Sequence, residues 1–388
     1  MNKENIFKST IYKNVFITTK DEQFLGYIEI DSKGKILKIK KGYTRKIGID
    51  CKKNFLLPGF IDGHTHGGYG FAFNDILDLN GEDKFLKYQF QVAKNEGVVA
   101  SVFATVSEPW EKLKQISLFL NDLVIKKNIN ILSWYMEGPF ISKEKKGAHD
   151  ENIIIPLNEK YLEFFKKQKN LKTTIVVAPE ENDYKLIKKY SSDFHFSIGH
   201  SNCFDFSKKF NLKYFKSFTH FFNGSSGFDH KKEGLINTIF SQKLPSDFLV
   251  EIISDGIHVS SQVLKLTYQI LNIKNLIVVS DSLSPKGLKD GVYFLGNLEI
   301  KKENKTFYLN KQNTIAGSAL EYNKNLKFFK ESTNASWTDI VYVSSYNLAK
   351  NLKLQNKYGT IKVGQKANLV LIDKDFNILF TYVNGKKY

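Results

Sequence analysis

Residues 60–70 read FIDGHTHGGYG, so two histidines one residue apart follow an apolar run and precede a cluster of glycines. Side chains two positions apart on a β-strand point to the same face, which places His64 and His66 side by side. The glycines that follow allow the chain to turn away sharply at the end of the strand. The pattern predicts a strand that ends by presenting a pair of imidazoles, an arrangement that suits a metal ion.

Seven further apolar, β-rich runs follow this first one, and the predicted strands are 60–64, 98–105, 131–136, 174–178, 194–198, 217–221, 249–254 and 276–280. Amphipathic stretches such as WEKLKQISLFLNDLVIKK (110–127) and SSQVLKLTYQILN (260–272) separate several of them, with the periodicity of helices. Eight strands alternating with helices predict an α/β fold with a TIM-like (β/α)8 barrel over residues 58–345. An open, doubly wound sheet is the alternative, but no Gly-x-Gly-x-x-Gly motif follows the first strand.

Both ends of the chain have a different pattern, with short β-like runs separated by Asp, Lys and Gly. We expect residues 1–57 and 346–388 to assemble into one small β-sandwich domain. Residues 288–313 interrupt the barrel pattern with another β-like excursion, which we interpret as a hairpin or an extension of the small domain.

The charge balance is basic, with 57 lysines and arginines against 40 acidic residues and a net charge of +17. A clustered excess would favour nucleic-acid binding. Here lysines are spread along the whole chain, Arg45 is the only arginine, and no segment alternates basic with aromatic residues as single-strand binding surfaces do. We therefore predict no nucleic-acid partner.

Membrane and disulfide signals are also missing from the sequence. No apolar run reaches the roughly 18 residues that a membrane span needs. The only cysteines are Cys51 and Cys203, too few for a disulfide framework and consistent with a reducing compartment. We expect a cytoplasmic protein without a membrane partner.

Rare polar residues gather where the predicted strands end. A lone histidine in such a place is more often an ordinary loop or core residue, and we interpret His195 and His230 in that way. Active sites of TIM barrels are built at the C-terminal ends of their strands. Four imidazoles and two carboxylates there form a ligand set suited to zinc or divalent iron, and the residues concerned are His64, His66, Glu137, His200, His220 and Asp281.

Longer motifs extend this pattern over nearly the whole chain. They are LLPGFIDGHTHGGYG (56–70), EGPFIS (137–142), KKGAH (145–149), GHS (199–201), THFFNGSS (219–226), DGIH (255–258), SDSLSPKG (280–287), TIAGS (314–318) and GTIKVGQKANLVLID (359–373). With them the sequence resembles the amidohydrolase superfamily and, within it, the N-acetylglucosamine-6-phosphate deacetylase family. EGPF with the following KGAH, and THFFN, are the motifs most specific to these deacetylases.

The resemblance implies one or two divalent ions per subunit. His64 and His66 would be ligands of one ion, Glu137 would ligate or bridge, and His200 and His220 would supply the remaining imidazoles. Asp281, itself in the ligand set, would take a proton from the attacking water and pass it to the departing amine.

The implied reaction converts N-acetyl-D-glucosamine 6-phosphate to D-glucosamine 6-phosphate and acetate. His149 and His258 would join Asp281 as catalytic residues, and the loop at Lys231 can reach a neighbouring subunit's site in relatives, which implies a homodimer. The implied substrate-binding residues are Ala148, His149, Asn223, Gly224, Lys231, His258, Ile315, Ala316 and Gly317.

Some positions depart from the family pattern. Lys231 stands where the family usually has arginine, Asp229 where it has histidine, and Ser282 and Leu283 where Ala-Met is common. An amidohydrolase acting on another N-acyl sugar or a cyclic amide is the alternative enzyme, although cyclic-amide hydrolases often use a carboxylated lysine where this chain has Glu137. A catalytically silent relative is disfavoured because all six metal-type residues are present.

Overall fold

The computed structural model describes residues 9–126, 129–295, 298–309 and 314–388. These residues form three large sheets and one two-stranded ribbon. The large sheets are an eight-stranded parallel sheet, an eight-stranded sheet built from both chain ends, and a four-stranded antiparallel sheet. Among the described residues, no helix combines the length and the apolar character that a bilayer crossing requires.

The terminal sheet unites the two ends of the chain. Its strands are β1 (Ser9–Thr18), β2 (Gln23–Asp31), β3 (Ile36–Lys41), β4 (Ile49–Asp50) and β5 (Phe55–Pro58), with β20 (Leu369–Ile372), β21 (Ile378–Val383) and β22 (Lys386–Lys387) from the other end. Strand β5 pairs with β1 on one side and β20 on the other, so the two ends meet inside the sheet. Both termini join in one hydrogen-bonded sheet, as predicted, and the bounds of a small domain stay a prediction.

The barrel strands are β6 (Phe60–Thr65), β9 (Val98–Thr105), β10 (Ile131–Met136), β11 (Thr173–Val177), β12 (His195–Ile198), β13 (Ser217–Phe218), β14 (Leu249–Ile253) and β15 (Leu276–Val279). A two-stranded ribbon, β7 (Gly67–Gly68) and β8 (Phe71–Ala72), follows the first of them. The strands are parallel and adjacent in chain order, and the ring comes together where the Asp281 N–H donates to the His64 carbonyl at 2.9 Å. The predicted α/β barrel is confirmed.

The sixth barrel strand is shorter than the predicted 217–221. It ends at Phe218 because His220 and Phe222 have positive φ angles of 28° and 84°, which extended strands do not allow. The residues after it therefore turn over the end of the barrel instead of continuing along its wall.

The helices pack around the barrel. They are α1 (Gly81–Glu96), α2 (Trp110–Ile125), α3 (Glu159–Lys166), α4 (Tyr184–Tyr190), α5 (Phe206–Lys209), α6 (Leu235–Ser241), α7 (Ser261–Ile270), α8 (Tyr322–Thr333), α9 (Trp337–Val341) and α10 (Asn347–Asn351), with a π-helical turn at Tyr342–Tyr346. Short 3₁₀ turns cover Phe73–Asp75, Lys143–Lys145, Pro179–Glu181, Leu212–Tyr214 and Ile273–Asn275. Helix α2 buries Leu113, Ile116, Leu120 and Leu123, the spacing that the sequence predicted.

The excursion after the last barrel strand forms a sheet of its own. Its strands are β16 (Gly291–Leu295), β17 (Leu298–Glu303), β18 (Thr306–Leu309) and β19 (Ile315–Ser318), paired antiparallel in chain order. Of the predicted excursion, residues 296–297 and 310–313 lie outside the described residues. The hairpin interpretation is confirmed, but the extension of the terminal domain is wrong, because the Ser318 N–H donates to the Asp281 carbonyl and ties this sheet to the barrel end.

Candidate active site

Six ligand-type side chains converge at the C-terminal end of the barrel. His64 is on β6, and the other five lie just beyond the ends of strands, where parallel strands bring their following residues together. Two groups form around one shared carboxylate, and within each group the ligand atoms lie within 4.8 Å of one another. The first group is His64, His66, Glu137 and Asp281, and the second is Glu137, His200 and His220.

Glu137 uses a different oxygen for each group. Its Oε2 lies 2.8 Å from His66 Nε2 and 3.3 Å from His64 Nε2. Its Oε1 lies 2.9 Å from His200 Nε2 and 2.8 Å from His220 Nε2. This is the geometry of a carboxylate that can bridge two cation positions.

Hydrogen bonds on the far side of each ring fix which nitrogen faces the centre. His200 Nδ1–H donates to the Lys145 carbonyl at 2.7 Å, and His220 Nδ1–H donates to the Asn223 carbonyl at 3.2 Å. A carbonyl oxygen only accepts, so in the neutral ring Nδ1 carries the proton and Nε2 presents a lone pair. These two lone pairs face each other across 3.0 Å.

His64 is oriented by a carboxylate. Its Nδ1–H donates to Glu251 Oε2 at 3.0 Å, and the same oxygen accepts the His220 backbone N–H at 3.2 Å. One oxygen therefore holds a ring of the first group and the backbone of the second. Such an outer partner sets the orientation and basicity of a metal-binding imidazole.

The electrostatic environment of the six ligand-type side chains favours positive charge. Burial lowers the pKa of His64, but the carboxylates of Glu137 and Asp281 outweigh it and place that pKa well above its usual value. Burial opposes ionisation of Glu137 and Asp281, yet the surrounding imidazoles hold both carboxyl pKa values below their usual range. Imidazole nitrogens and carboxylate oxygens that converge where positive charge is favoured fit a divalent cation.

The backbone is strained at three of these residues. His200, His220 and Asp281 have φ angles of 46°, 28° and 48°, in the left-handed region that residues other than glycine rarely adopt. Each such residue costs on the order of 1–3 kcal/mol and persists only where the surroundings enforce it. These strained residues lie where the chain turns from the strand ends and directs their side chains towards the centre.

His149 presents a donor to the same centre. Its Nδ1 accepts from the Ser107 backbone N–H at 3.2 Å and lies 2.8 Å from the Ser107 hydroxyl, which leaves the proton on Nε2. That nitrogen lies 4.0 Å from Glu137 Oε2. Burial and the neighbouring His200 lower the pKa of His149 to about 3, so the ring is neutral at pH 7.

A cavity of about 390 Å³ opens above the centre. Its lining includes nearly all of the expected substrate residues together with part of the metal centre and four further residues. The lining residues are His66, Val106, Glu137, Gly147, Ala148, His149, His200, His220, Asn223, Gly224, His258, Asp281, Leu283, Thr314, Ile315 and Ala316.

Two expected substrate residues do not line this cavity. Gly317 lies behind it, where a Cβ would come 2.9 Å from the Asp281 carbonyl oxygen, so glycine allows β19 to approach the Asp281 turn closely. Lys231 is exposed on the loop between β13 and α6, and the structure does not bring it to the cavity of its own chain.

Three residues of the site were missed from the sequence. Glu251 orients His64, Ser107 fixes His149, and Asp255 accepts from His258 Nδ1–H at 2.7 Å. Glu251 had a readable signal, because a single acid stands inside the apolar run FLVEII (248–253). Ser107 had none, because its role depends on the distance between two separate loops.

Comparisons with known proteins agree with this geometry. Residues 232–387 match the model of the Amidohydrolase family. N-acetylglucosamine-6-phosphate deacetylase from Bacillus subtilis is 31% identical, covering 97% of this chain and 96% of that protein. The crystal structure of N-acetylglucosamine-6-phosphate deacetylase from Thermotoga maritima is 32% identical, with a TM-score of 0.83 over 97% of this chain and 99% of that one.

A third relative shows the shared fold at lower identity. A variant of the Mycobacterium smegmatis deacetylase, solved in complex with N-acetyl-D-glucosamine-6-phosphate, is 21% identical, with a TM-score of 0.88. It covers 98% of this chain, and this chain covers 99% of it.

Proposed function

Because the chain belongs to the N-acetylglucosamine-6-phosphate deacetylase family, we propose that its cavity hydrolyses N-acetyl-D-glucosamine 6-phosphate to D-glucosamine 6-phosphate and acetate. One observation carries this proposal: a single buried carboxylate, Glu137, gathers four imidazoles at the floor of a cavity large enough for a sugar. An amide resists attack by neutral water, so hydrolysis needs an activated nucleophile, which a metal held by such a centre would supply.

We propose that the centre holds one or two divalent ions, zinc or iron by the nature of the ligands. His64, His66 and Asp281 would hold one ion, His200 and His220 the other, and Glu137 would bridge them. A bound divalent ion lowers the pKa of water towards about 7 and polarises the amide carbonyl.

Two side chains supply the proton chemistry. Asp281, whose pKa is held low, is ionised at neutral pH and accepts the proton of the attacking water. It then returns that proton to the sugar nitrogen, because an amine leaves only once it is protonated. The neutral His149 donates from Nε2–H to the carbonyl oxygen as negative charge develops there.

The phosphate end of the substrate needs a cation. Among the described lining residues there is no lysine or arginine. The loop that carries Lys231 is exposed, and its Phe228 is 68% accessible. We propose a homodimer in which the loop of one chain brings Lys231 to the cavity of its partner, where an ammonium binds phosphate as a point charge.

The alternative substrates are another N-acyl sugar and a cyclic amide. Glu137 occupies the bridging place where cyclic-amide hydrolases often have a carboxylated lysine, which favours the linear amide. The two cysteines are free, which indicates a reducing compartment. We therefore propose that the enzyme is cytoplasmic.

Acetate release from phosphorylated and unphosphorylated N-acetylglucosamine tests the proposal. We expect the phosphorylated sugar to be the better substrate by about 10–100-fold in kcat/KM, the value of a hydrogen bond to a charged group. Lys231→Ala should remove that preference, whereas the neighbouring Lys232→Ala should keep it. A wild-type enzyme that favours the unphosphorylated sugar would overturn the substrate assignment.

A further inference from the structure

The cavity has one apolar wall in an otherwise polar lining. Its apolar side chains are Val106, Ala148, Leu283, Ile315 and Ala316. All of these except Ile315 belong to one packed cluster. The cluster is completed from behind by Ile300 of β17 and Phe307 of β18, both fully buried. The four-stranded sheet that interrupts the barrel pattern therefore backs this wall.

Leu283 is the bulkiest member of the cluster that reaches the cavity, and it is firmly held. The residue is 1% exposed. The β19 backbone packs so closely that a Cβ on Gly317 would lie 3.1 Å from Leu283 Cγ. The Leu283 carbonyl also accepts the Lys286 N–H at 3.0 Å, so the turn that carries this side chain is closed.

Leu283 also lies close in sequence to Asp281, the proposed proton acceptor. It follows Asp281 by two residues, and both side chains line the cavity. In the proposed function the amide carbonyl lies between Asp281 and His149 Nε2, and the alkyl part of the acyl group is one bond away. Most of the other side chains that line the cavity are polar, so the apolar wall is the surface that suits the alkyl part.

We propose that Leu283, backed by the four-stranded sheet, sets the length of the acyl group that the enzyme removes. This inference rests on the proposed deacetylation and adds the acyl groups for which the enzyme is specific. The wall is close-packed, so an acetyl methyl fits against Leu283, while each added methylene meets a side chain with no space to move into. Shortening Leu283 opens space for a longer acyl chain.

The test compares kcat/KM for the N-acetyl, N-propionyl and N-butyryl derivatives of glucosamine 6-phosphate. The wild type should favour acetyl, and Leu283→Ala should raise the ratio of butyryl to acetyl turnover by about 10–200-fold, the effect of a methylene in an apolar pocket. Leu288→Ala is the matched control, because Leu288 lies five residues further along the same segment, is 38% exposed and does not line the cavity. Its butyryl to acetyl ratio should stay within about 3-fold of the wild-type ratio.

Two milder variants provide the same test if Leu283→Ala does not fold. Leu283→Val and Val106→Ala each remove part of the wall and should shift the same ratio in the same direction. Variants that keep acetyl turnover with an unchanged ratio would overturn the role of Leu283. A wild type that releases no acetate from N-acetylglucosamine 6-phosphate would instead overturn the proposed function.

Discussion

Two buried clusters of charged side chains lie near the end of β6, and they differ in whether their members satisfy one another. In the first, Lys286 Nζ lies 3.0 Å from the Glu96 carboxylate. Glu96 also accepts from the Tyr69 hydroxyl and the Tyr322 backbone N–H, each at 2.8 Å. In the second, the Nε2 atoms of four rings face Glu137, and partners at Nδ1 leave a lone pair on that nitrogen in the neutral rings of His64, His200 and His220.

The difference separates a structural charge pair from a binding site. Burial lowers the pKa of Lys286, but Glu96 outweighs it, so the ammonium persists and its positive charge is matched within the chain. The Lys286 carbonyl accepts the Tyr69 N–H, so this pair anchors the turn that follows Asp281. The Glu137 cluster instead turns several ligand atoms towards one another, in two groups that could hold a metal ion.

The largest expected effect falls on the Glu137 cluster. Asp281→Asn removes the proton acceptor, and we expect kcat to fall by about 10²–10⁴-fold. Stopped-time acetate assays measure the rate, while elemental analysis and circular dichroism check that metal and fold are kept. A variant with near wild-type turnover would show that another group moves the proton.

Breaking the buried Lys286–Glu96 pair should lower the stability of the fold. Glu96→Gln leaves the Lys286 ammonium buried without its paired carboxylate, and we expect the free energy of unfolding to fall by about 3–5 kcal/mol. Urea denaturation followed by circular dichroism measures it. Glu82→Gln, on the same helix, loses only an exposed pair with Lys126 and should change stability by about 1 kcal/mol or less. Equal losses in the two variants would contradict the distinction.

A smaller effect is expected where a carboxylate supports the metal centre from outside. Glu251→Gln weakens the hold on His64, and we expect metal affinity to fall by about 10–100-fold. A chelator competition titration measures this without reference to activity. Asp255→Asn disrupts another carboxylate–histidine contact at the same end of the barrel, but His258 is outside both ligand groups, so metal affinity should not change.

The smallest effect concerns a histidine away from the centre. Burial and the nearby Lys216 lower the pKa of His195 to about 4. His64, near Glu137, differs because carboxylates raise its pKa. Between pH 6.5 and 4 the unfolded chain binds the proton and the folded chain does not, so His195 makes stability fall as the pH drops. His195→Gln should flatten this slope by at most about 1.4 kcal/mol per pH unit, measured by urea denaturation across that range.

The barrel could be predicted from the sequence where local patterning decides it. Strands β9 and β10 have the predicted bounds because their apolar runs are buried along their whole length. The His64 and His66 pair, together with the other strand-end acids and imidazoles, could be grouped because parallel strands bring their ends together.

Other features depend on distances that no local pattern encodes. The early end of β13 comes from positive φ angles, and the place of the four-stranded sheet comes from tertiary packing against Leu283. Lys231 was assigned to the cavity by resemblance, but its loop lies on the surface of its own chain. Ring orientation at His200 depends on the carbonyl of Lys145, a residue 55 positions away.

The central claim is that the acceptor-rich cluster around Glu137 works only with a divalent cation. Acetate release from N-acetylglucosamine 6-phosphate should be measured on protein stripped of metal by chelation and then titrated with zinc or ferrous iron. We predict that turnover disappears with the metal and returns as one or two ions bind per chain. Full turnover by metal-free protein would contradict the account.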